Sequence, residues 1–587
     1  MDQEFYDVQT YRSVPAQGPG PGTPDGTTPE EFYWFGGDDA EAPQQLGYEV
    51  YEHFAPAPVP EFDPAFDPAF APEPEYEIPE VPETGWSVAG GRRRSWIGRM
   101  LLLSVLVVQA MLSLRLHNTA FQDEALYLFA GHQELDHLLH GTPLPIDYSG
   151  YFSGSPWLYP VLGAAADSVF GLTGARLLSL LFMLGATVLL YALSRRLFNE
   201  RVALCAAAFF TVLQSTITLG FFATYDAPAI FLLALSAWIV VRTNRATPLA
   251  VLLAAPVAAL AVAVKYAAGL YLPTLVLLAV LVGWPYRGRA QALVRGLLLA
   301  LGTGGLLGAA MVFGHMTAGL QTTTTSRVQG TDSAAKLLSE SAQWGGLMFA
   351  VACGGALAYI VRERMHEAVD VTAVRSTRRW RAALALLLCG TALLAPAYQI
   401  HLHTSTSLHK HIGFGLLFAA PMAGIGITRL MGAHFRQPQL GILVWVVMLA
   451  LGLSQSTARF TSWPDSTQMV QVLGRHTSPT GRYLAETREV PVYYLHGATK
   501  ANQWTSTYGT GYSYRDAHGR VYQGADGYRH AVADGWFDLI LLDGKSTPAM
   551  DAVIRQAITT DGTYRLIASL PFTTSQGPGT YQIYSKP

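Results

Sequence analysis

Apolar and polar positions come in long blocks along this chain. Eleven apolar runs lie at approximately 97–115, 174–194, 202–220, 227–242, 247–264, 267–284, 292–312, 343–361, 382–400, 412–429 and 439–456. Runs of roughly 17–25 residues with few charges suit a helix that must cross about 30 Å of hydrocarbon. The pattern predicts eleven transmembrane helices, short connections, and one long loop at 116–173. From residue 458 the blocks shorten. "VPVYYL" (490–495), "WFDLILLDG" (536–544), "YRLIASLPF" (564–572) and "TYQIYSKP" (580–587) read as strands, with a helix over "TPAMDAVIRQAITTDG" (547–562). The expected fold is a mainly α polytopic membrane domain at 96–457, followed by a small α/β domain at 458–587.

Composition agrees with this division. The 587 residues are 50% hydrophobic and 14% charged, against roughly 25% charged in soluble domains. Residues 1–95 are acidic and Pro-rich, with the imperfect repeat "FDPAFDPAFAPEPEYEIPEVPE" at 62–83. Proline at that density supports neither helix nor sheet, so this segment is expected to be a disordered cytoplasmic tail. Cys205, Cys353 and Cys389 all fall in apolar runs, too scattered for a disulfide framework or a zinc site. Nothing in the composition points to nucleic acid.

Arginine sets the expected orientation. The cluster "GRRRSWIGR" (91–99) precedes the first apolar run, and arginines recur in alternate loops, at 195–201, 242–245, 287–295, 362–381 and 429–436. By the positive-inside bias the amino terminus is cytoplasmic and the C-terminal domain extracytoplasmic, in a multi-pass protein of the plasma membrane. Six basic residues fall on the outer side, Arg115, Arg176, Lys265, Arg327, Lys336 and Lys410, and of these Lys265, Arg327 and Lys410 stand out. A charge there is costly and usually has a partner, so together they point to an anionic ligand, although snorkelling to lipid headgroups competes for each alone.

The long outer loop opens with "NTAFQDEALYLFAGH" (118–132). Leu126, Phe129 and Ala130, then Leu135, Leu138 and Leu139, follow the spacing of short amphipathic helices on the membrane surface. Asn118 or Thr119 could cap the first, with Asp123 and Glu124 in its opening turn. That explains one carboxylate better than two beside Phe121, Tyr127 and Phe129, where unpaired acids are expensive. A carboxylate held at such a boundary suits a general base. "GTPLPIDYSGYFSGSPWLYP" (141–160), containing Tyr151 and Trp157, could stack on sugar rings or form an interfacial aromatic belt.

These features resemble the GT-C superfamily of membrane glycosyltransferases, in particular its protein O-mannosyltransferase and aminoarabinose-transferase-like branch (glycosyltransferase family 39). The resemblance rests on the acidic pair after the first span and on "GLTGARLLSLL" (171–181), "FFATYDAPAIFLLALSAWIV" (221–240), "AVAVKYAAGLYLP" (261–273) and "SLHKHIGFGLLFAAPMAG" (407–424). It implies transfer of a sugar from a polyprenyl-phosphate donor to an extracytoplasmic glycan, lipid or protein acceptor, with inversion. Asp123 would be the base and Glu124 would orient the acceptor, a cation or a basic partner. Lys265, Arg327, His409, Lys410 and His411 would contact the donor phosphate. Tyr127, Tyr151, Trp157, Asp226 and Tyr266 would contact sugar or acceptor, although an N-terminal helix acid fully explains Asp226. A divalent metal would have Glu124, His401 and His403 as weak ligand candidates. "HLHTSTSLHKH" (401–411) departs from the Arg-Tyr type motif of many relatives, and its histidine spacing matches no structural zinc motif. The competing expectations are a lipid or ion transporter, or flippase, and a non-catalytic envelope-assembly scaffold.

Overall fold

Each of the eleven apolar runs lies on helix. The computed structural model describes residues 92–150, 152–314, 316–325, 329–361, 377–432, 436–508 and 511–587, which belong to one compact unit; the expectation of a disordered tail falls outside them. The helices are α1 Arg92–Ser113, α2 Gln122–His140, α3 Tyr159–Leu197, α4 Glu200–Thr211, α5 Gln214–Leu219, α6 Asp226–Arg242, α7 Ala255–Val264, α8 Leu272–Phe313, α9 Thr317–Leu320, α10 Ala334–Ser341, α11 Leu347–Val361, α12 Arg378–Thr391, α13 Leu394–Leu402, α14 Leu408–Leu430 and α15 Pro438–Phe460.

The runs and the helices do not correspond one to one. Two runs share α8, which breaks at Gly288 in a left-handed conformation (φ 77°). The run at 202–220 is split between α4 and α5, and the apolar helix Pro248–Val264 is shorter than a full span. Six helices are long and apolar enough to cross a membrane, or seven if α12 and α13, bent by 44°, form one broken span. Eleven is thus the number of apolar blocks, not of full-length spanning helices. The protein is a multi-pass membrane protein.

Position in the bundle follows from sequence. Helix α14 carries apolar or small residues on every face and is almost wholly buried, as an all-round apolar helix must be. Gly424 of α14 lies against the α4 backbone and Gly426 against that of α11, approaches that a Cβ would block. Helices α1 and α15 turn Leu103, Met111, Leu443 and Val446 outward, the belt expected of lipid-facing helices.

The last part holds α16 Thr467–His476, β1 Tyr483–Ala485, α17 Glu489–Tyr494, β2 Trp504–Ser506, β3 Ser513–Arg515, β4 Val521–Gln523, α18 Gly524–Ala533, β5 Leu539–Leu542, α19 Pro548–Asp561, β6 Arg565–Thr574 and β7 Gly577–Ser585. Its main sheet has the order β2-β1-β5-β7-β6. Strands β2, β1 and β5 are parallel, while β7 pairs antiparallel with both β5 and β6. The strand expected at 490–495 is helical. Its side chains reach toward the membrane part: the Tyr493 hydroxyl donates to Asp167 (2.7 Å) and the Tyr494 oxygen accepts from the Ala120 N–H (2.8 Å). Tertiary contact overrides the strand preference of Val and Tyr.

Candidate active site

The segment entering α2 is stitched to the C-terminal part before any charge is considered. Asn118 Nδ2 donates to the Trp463 carbonyl (2.9 Å), and Trp463 Nε1 donates to that of Thr119 (2.9 Å). The Ser466 N–H donates to Thr119 Oγ1 (3.0 Å), and Gln122 Nε2 to Glu489 Oε2 (3.0 Å). Asn118 and Thr119 are therefore tied to the later chain, and Phe121 occupies the cap position.

Adjacent helical residues project about 100° apart, and this separates the two acids. Glu124 points inward and is fully buried. It receives Arg176 through two hydrogen bonds (2.8 and 2.7 Å), together with the N–H groups of Phe121 (3.0 Å) and Ala223 (2.9 Å). Arg176 also donates to the carbonyls of Asn118 (2.8 Å) and Thr119 (3.1 Å). With its oxygens filled by this network, Glu124 does not reach an acceptor or a metal; it fixes the turn that carries Asp123.

Asp123 faces a cavity of about 500 Å³. Its Oδ2 lies 2.9 Å from Lys410 Nζ, in the first turn of α14. Lys410 also rests over the Phe222 ring, 5.5 Å from its centre, and Phe222, Phe121 and Trp463 pack on one another at 5.2–5.7 Å between centroids. His409, beside Trp344 (6.2 Å), lines the same cavity. The loop before α14 is held in an unusual shape. His403 (φ 51°) and Ser407 (φ 61°) are the only non-glycine residues with positive φ among those described, and Ser405 donates twice to Asp332 (2.9 and 2.8 Å). Strain of this kind concentrates at functional sites.

A second ion pair lies away from the cavity lining. Lys265 Nζ is 3.0 Å from Asp226 Oδ1, and both residues are buried. Thr224 Oγ1 donates to the other Asp226 oxygen (3.0 Å). Helix α7 stops at Lys265 where residues 153–155 pair with its end, Ser155 N–H to Ala263 O and Tyr266 N–H to Ser153 O (both 2.9 Å). Gly154 is required there, since a Cβ would overlap the Val264 carbonyl.

Several expected contacts do not meet the cavity. Lys265 and Asp226 neutralise each other. Tyr127 sits in an aromatic cluster with Tyr225 (4.7 Å) and Phe152 (5.2 Å), Tyr266 is buried, and Trp157 is half exposed. His411 lies beside Gln399 (3.4 Å) and does not line the cavity. Tyr151 and Arg327 lie outside the described residues. The metal candidates do not converge. His401 and His403 are exposed, and no three His, Cys, Asp or Glu side chains come together as a metal site among the described residues. Asp123, Glu124 and Asp226 each have a basic partner instead, so this acid set does not fit a cation.

Sequence reading missed Arg459. It sits in the last turn of α15, lines the cavity, and lies 5.4 Å from the centre of the Trp344 ring. An arginine closing an apolar run, against the expected charge bias, was the available signal. Thr487, Tyr508, Asp543, Lys545 and Ser546 of the C-terminal part line the same space.

Residues 156–313 match the family described as dolichyl-phosphate-mannose-protein mannosyltransferase. That stretch contains Arg176, Asp226 and Lys265 but neither Asp123 nor Lys410. No curated protein matches the chain. Among solved structures, it resembles ArnT from Cupriavidus metallidurans bound to undecaprenyl phosphate, with TM-score 0.52 and 13% identity over 83% of this chain and 98% of that one. The apo state of the same protein matches with TM-score 0.51 and 14% identity, over 84% and 98%. Archaeoglobus fulgidus oligosaccharyltransferase gives TM-score 0.49 and 12% identity, over 82% and 72%. By these matches the chain shares the fold of the ArnT structures, and its segment 156–313 is similar to the mannosyltransferase family.

Proposed function

We propose that this protein moves a sugar from a polyprenyl-phosphate carrier to an extracytoplasmic acceptor at the plasma membrane, with inversion at the anomeric carbon. The observation that carries this reading is the Asp123–Lys410 pair on the wall of a cavity that also holds His409 and Arg459. The similarity to a protein bound to undecaprenyl phosphate supports the choice of carrier.

Asp123 takes the proton of the acceptor hydroxyl as that oxygen bonds to the anomeric carbon. The bond from the anomeric carbon to the phosphate oxygen breaks, and the lipid phosphate leaves as an anion. Its growing charge needs fixed cations in a water-poor site. Lys410 orients Asp123 through one N–H and has others for the phosphate; Arg459 and His409 stand beside it. Glu124 and Arg176 position the helix turn. The C-terminal domain faces outside and holds the acceptor.

The charged groups support a transferase over a transporter. Asp226 opens α6, Lys265 follows α7, and Lys410 begins α14, whereas transporters gather ionisable groups on interrupted helices at mid-membrane. The test is release of undecaprenyl phosphate from a panel of undecaprenyl-phosphate-linked hexoses and pentoses by the purified full-length protein, with a cell-envelope extract of glycans, lipids and proteins added as the source of acceptor hydroxyls. Wild type should release it from at least one, and Asp123→Asn should not. No release by folded wild type, or equal release by the variant, would remove the catalytic reading and leave a scaffold.

A further inference from the structure

Among the described residues, two cations on the cavity wall have no carboxylate within ion-pair distance. Asp123, Glu340, Asp543, Lys410, Arg459 and Lys545 line it. Asp123 and Lys410 neutralise each other at 2.9 Å, and Glu340 lies 3.8 Å from Lys336. Asp543 is consumed by its own loop, accepting from the N–H groups of Lys545 (2.7 Å) and Ser546 (2.8 Å) and from the Ser546 hydroxyl (2.6 Å). Arg459 rests on Trp344. Lys545 Nζ donates to the Gly577 carbonyl (2.7 Å) and lies 5.8 Å from the centre of the Phe572 ring. Among the described residues, neither cation has a carboxylate within ion-pair distance.

These two charges come from different parts of the chain. Arg459 ends a membrane helix, whereas Lys545 follows β5. Thr487 follows β1 and Tyr508 follows β2, so the cavity is bordered by the carboxyl ends of the three parallel strands. In open α/β sheets ligands bind in the crevice outside those ends. The C-terminal domain thus turns its own ligand crevice toward Asp123. A polyprenyl-phosphate donor brings one phosphate, for which the membrane helices already supply Lys410, His409 and Arg459. Lys545 remains unexplained by the donor.

We infer that Lys545, Ser546 and Tyr508 form the acceptor subsite, and that the acceptor is a hydroxyl-bearing headgroup carrying its own anion, a phosphate or a carboxylate. This rests on the transferase reading above. An ammonium with N–H groups to spare meets the anion, the Ser546 and Tyr508 oxygens meet hydroxyls, and Asp123 receives the proton of the hydroxyl that reacts. A neutral peptide hydroxyl would bring no negative charge to Lys545, whose ammonium has only the Gly577 carbonyl and the Phe572 ring beside it.

The test uses full-length protein in nanodiscs and saturation-transfer NMR. Glucuronate and glycerol 3-phosphate are the anionic probes, with glucose and glycerol as neutral counterparts. The anionic probes should bind at least about tenfold more tightly. Lys545→Gln should abolish that preference and Lys545→Arg should keep it, while undecaprenyl phosphate affinity, read by tryptophan fluorescence, stays within about twofold in both. Tighter glucuronate assigns a carboxylate source; tighter glycerol 3-phosphate assigns a phosphate. Equal binding of glucose and glucuronate, unchanged preference in Lys545→Gln, or no binding of either anion at millimolar concentration overturns the inference. Failure of wild type to bind undecaprenyl phosphate would count against the transferase reading, separately from the charge preference at Lys545.

Discussion

Lys410 Nζ lies 2.9 Å from Asp123 Oδ2 across 287 residues of chain. The pair joins the first turn of α2 to the first turn of α14, two elements that meet only after the bundle closes. If Asp123 is the base, Asp123→Asn should reduce turnover by about 10²–10⁴-fold, with undecaprenyl phosphate binding retained. Lys410→Met should lower both. A double variant no worse than the weaker single variant would show that the two act as one unit. Single-turnover rates beside equilibrium lipid binding make the comparison.

Glu124 is the neighbouring carboxylate with a different task. Removing one partner of a buried pair leaves a charge uncompensated, typically at about 3–5 kcal/mol. Arg176→Met should therefore destabilise the protein by about that amount, and Glu124→Gln somewhat less, because the amide oxygen still accepts one N–H. Thermal unfolding in detergent measures this. A Glu124→Gln protein that melts like wild type yet lacks activity would return Glu124 to the chemistry.

Arg459 tests the donor side. Arg459→Gln should weaken undecaprenyl phosphate binding by roughly tenfold or more, since charge-assisted hydrogen bonds contribute about 1.5–3 kcal/mol. Arg459→Lys should recover part of it, because a point charge replaces a two-pronged donor. Unchanged affinity in Arg459→Gln would leave Lys410 and His409 as the phosphate contacts.

A pH effect belongs to the C-terminal domain. Burial pushes the Asp551 carboxyl up to about 6; a hydrogen bond with Glu486 pulls the other way, the nearby Asp543 charge adds to the rise, and Arg555 at 3.6 Å opposes it. An acid raised on folding stabilises the fold below its unfolded value and loses that contribution as pH rises through its folded value. Asp551 should therefore take at most about 3 kcal/mol from wild-type stability between about pH 4 and pH 7, in addition to the loss from the buried Glu486 carboxyl, which is pushed up to about 10. Asp551→Asn should lessen that slope, leaving the part that belongs to Glu486, and raise the melting temperature at neutral pH. An equal slope in the variant would assign the effect to other groups.

The sequence alone determined what depends on local order. Block lengths fixed where helices form, because a helix in hydrocarbon must satisfy its own backbone and stay apolar over its length. Strong alternation and Gly-Pro punctuation marked β5, β6, β7 and α19. The singling out of Asp123 and Lys410 followed from the cost of charge at a membrane edge. The tertiary structure decided everything that depends on who meets whom. Which of two adjacent acids faces the cavity was set by Arg176 on another helix, and Lys265 was taken up by Asp226 instead of a ligand. Residues 490–495 became helix because Tyr493 and Tyr494 had partners in α3 and in the segment before α2. Arg459 and Lys545 gained a shared cavity only when the C-terminal sheet closed over the bundle. Pairing between distant charges is a property of the packed chain, since the dielectric and the distance that give it strength do not exist until folding brings both.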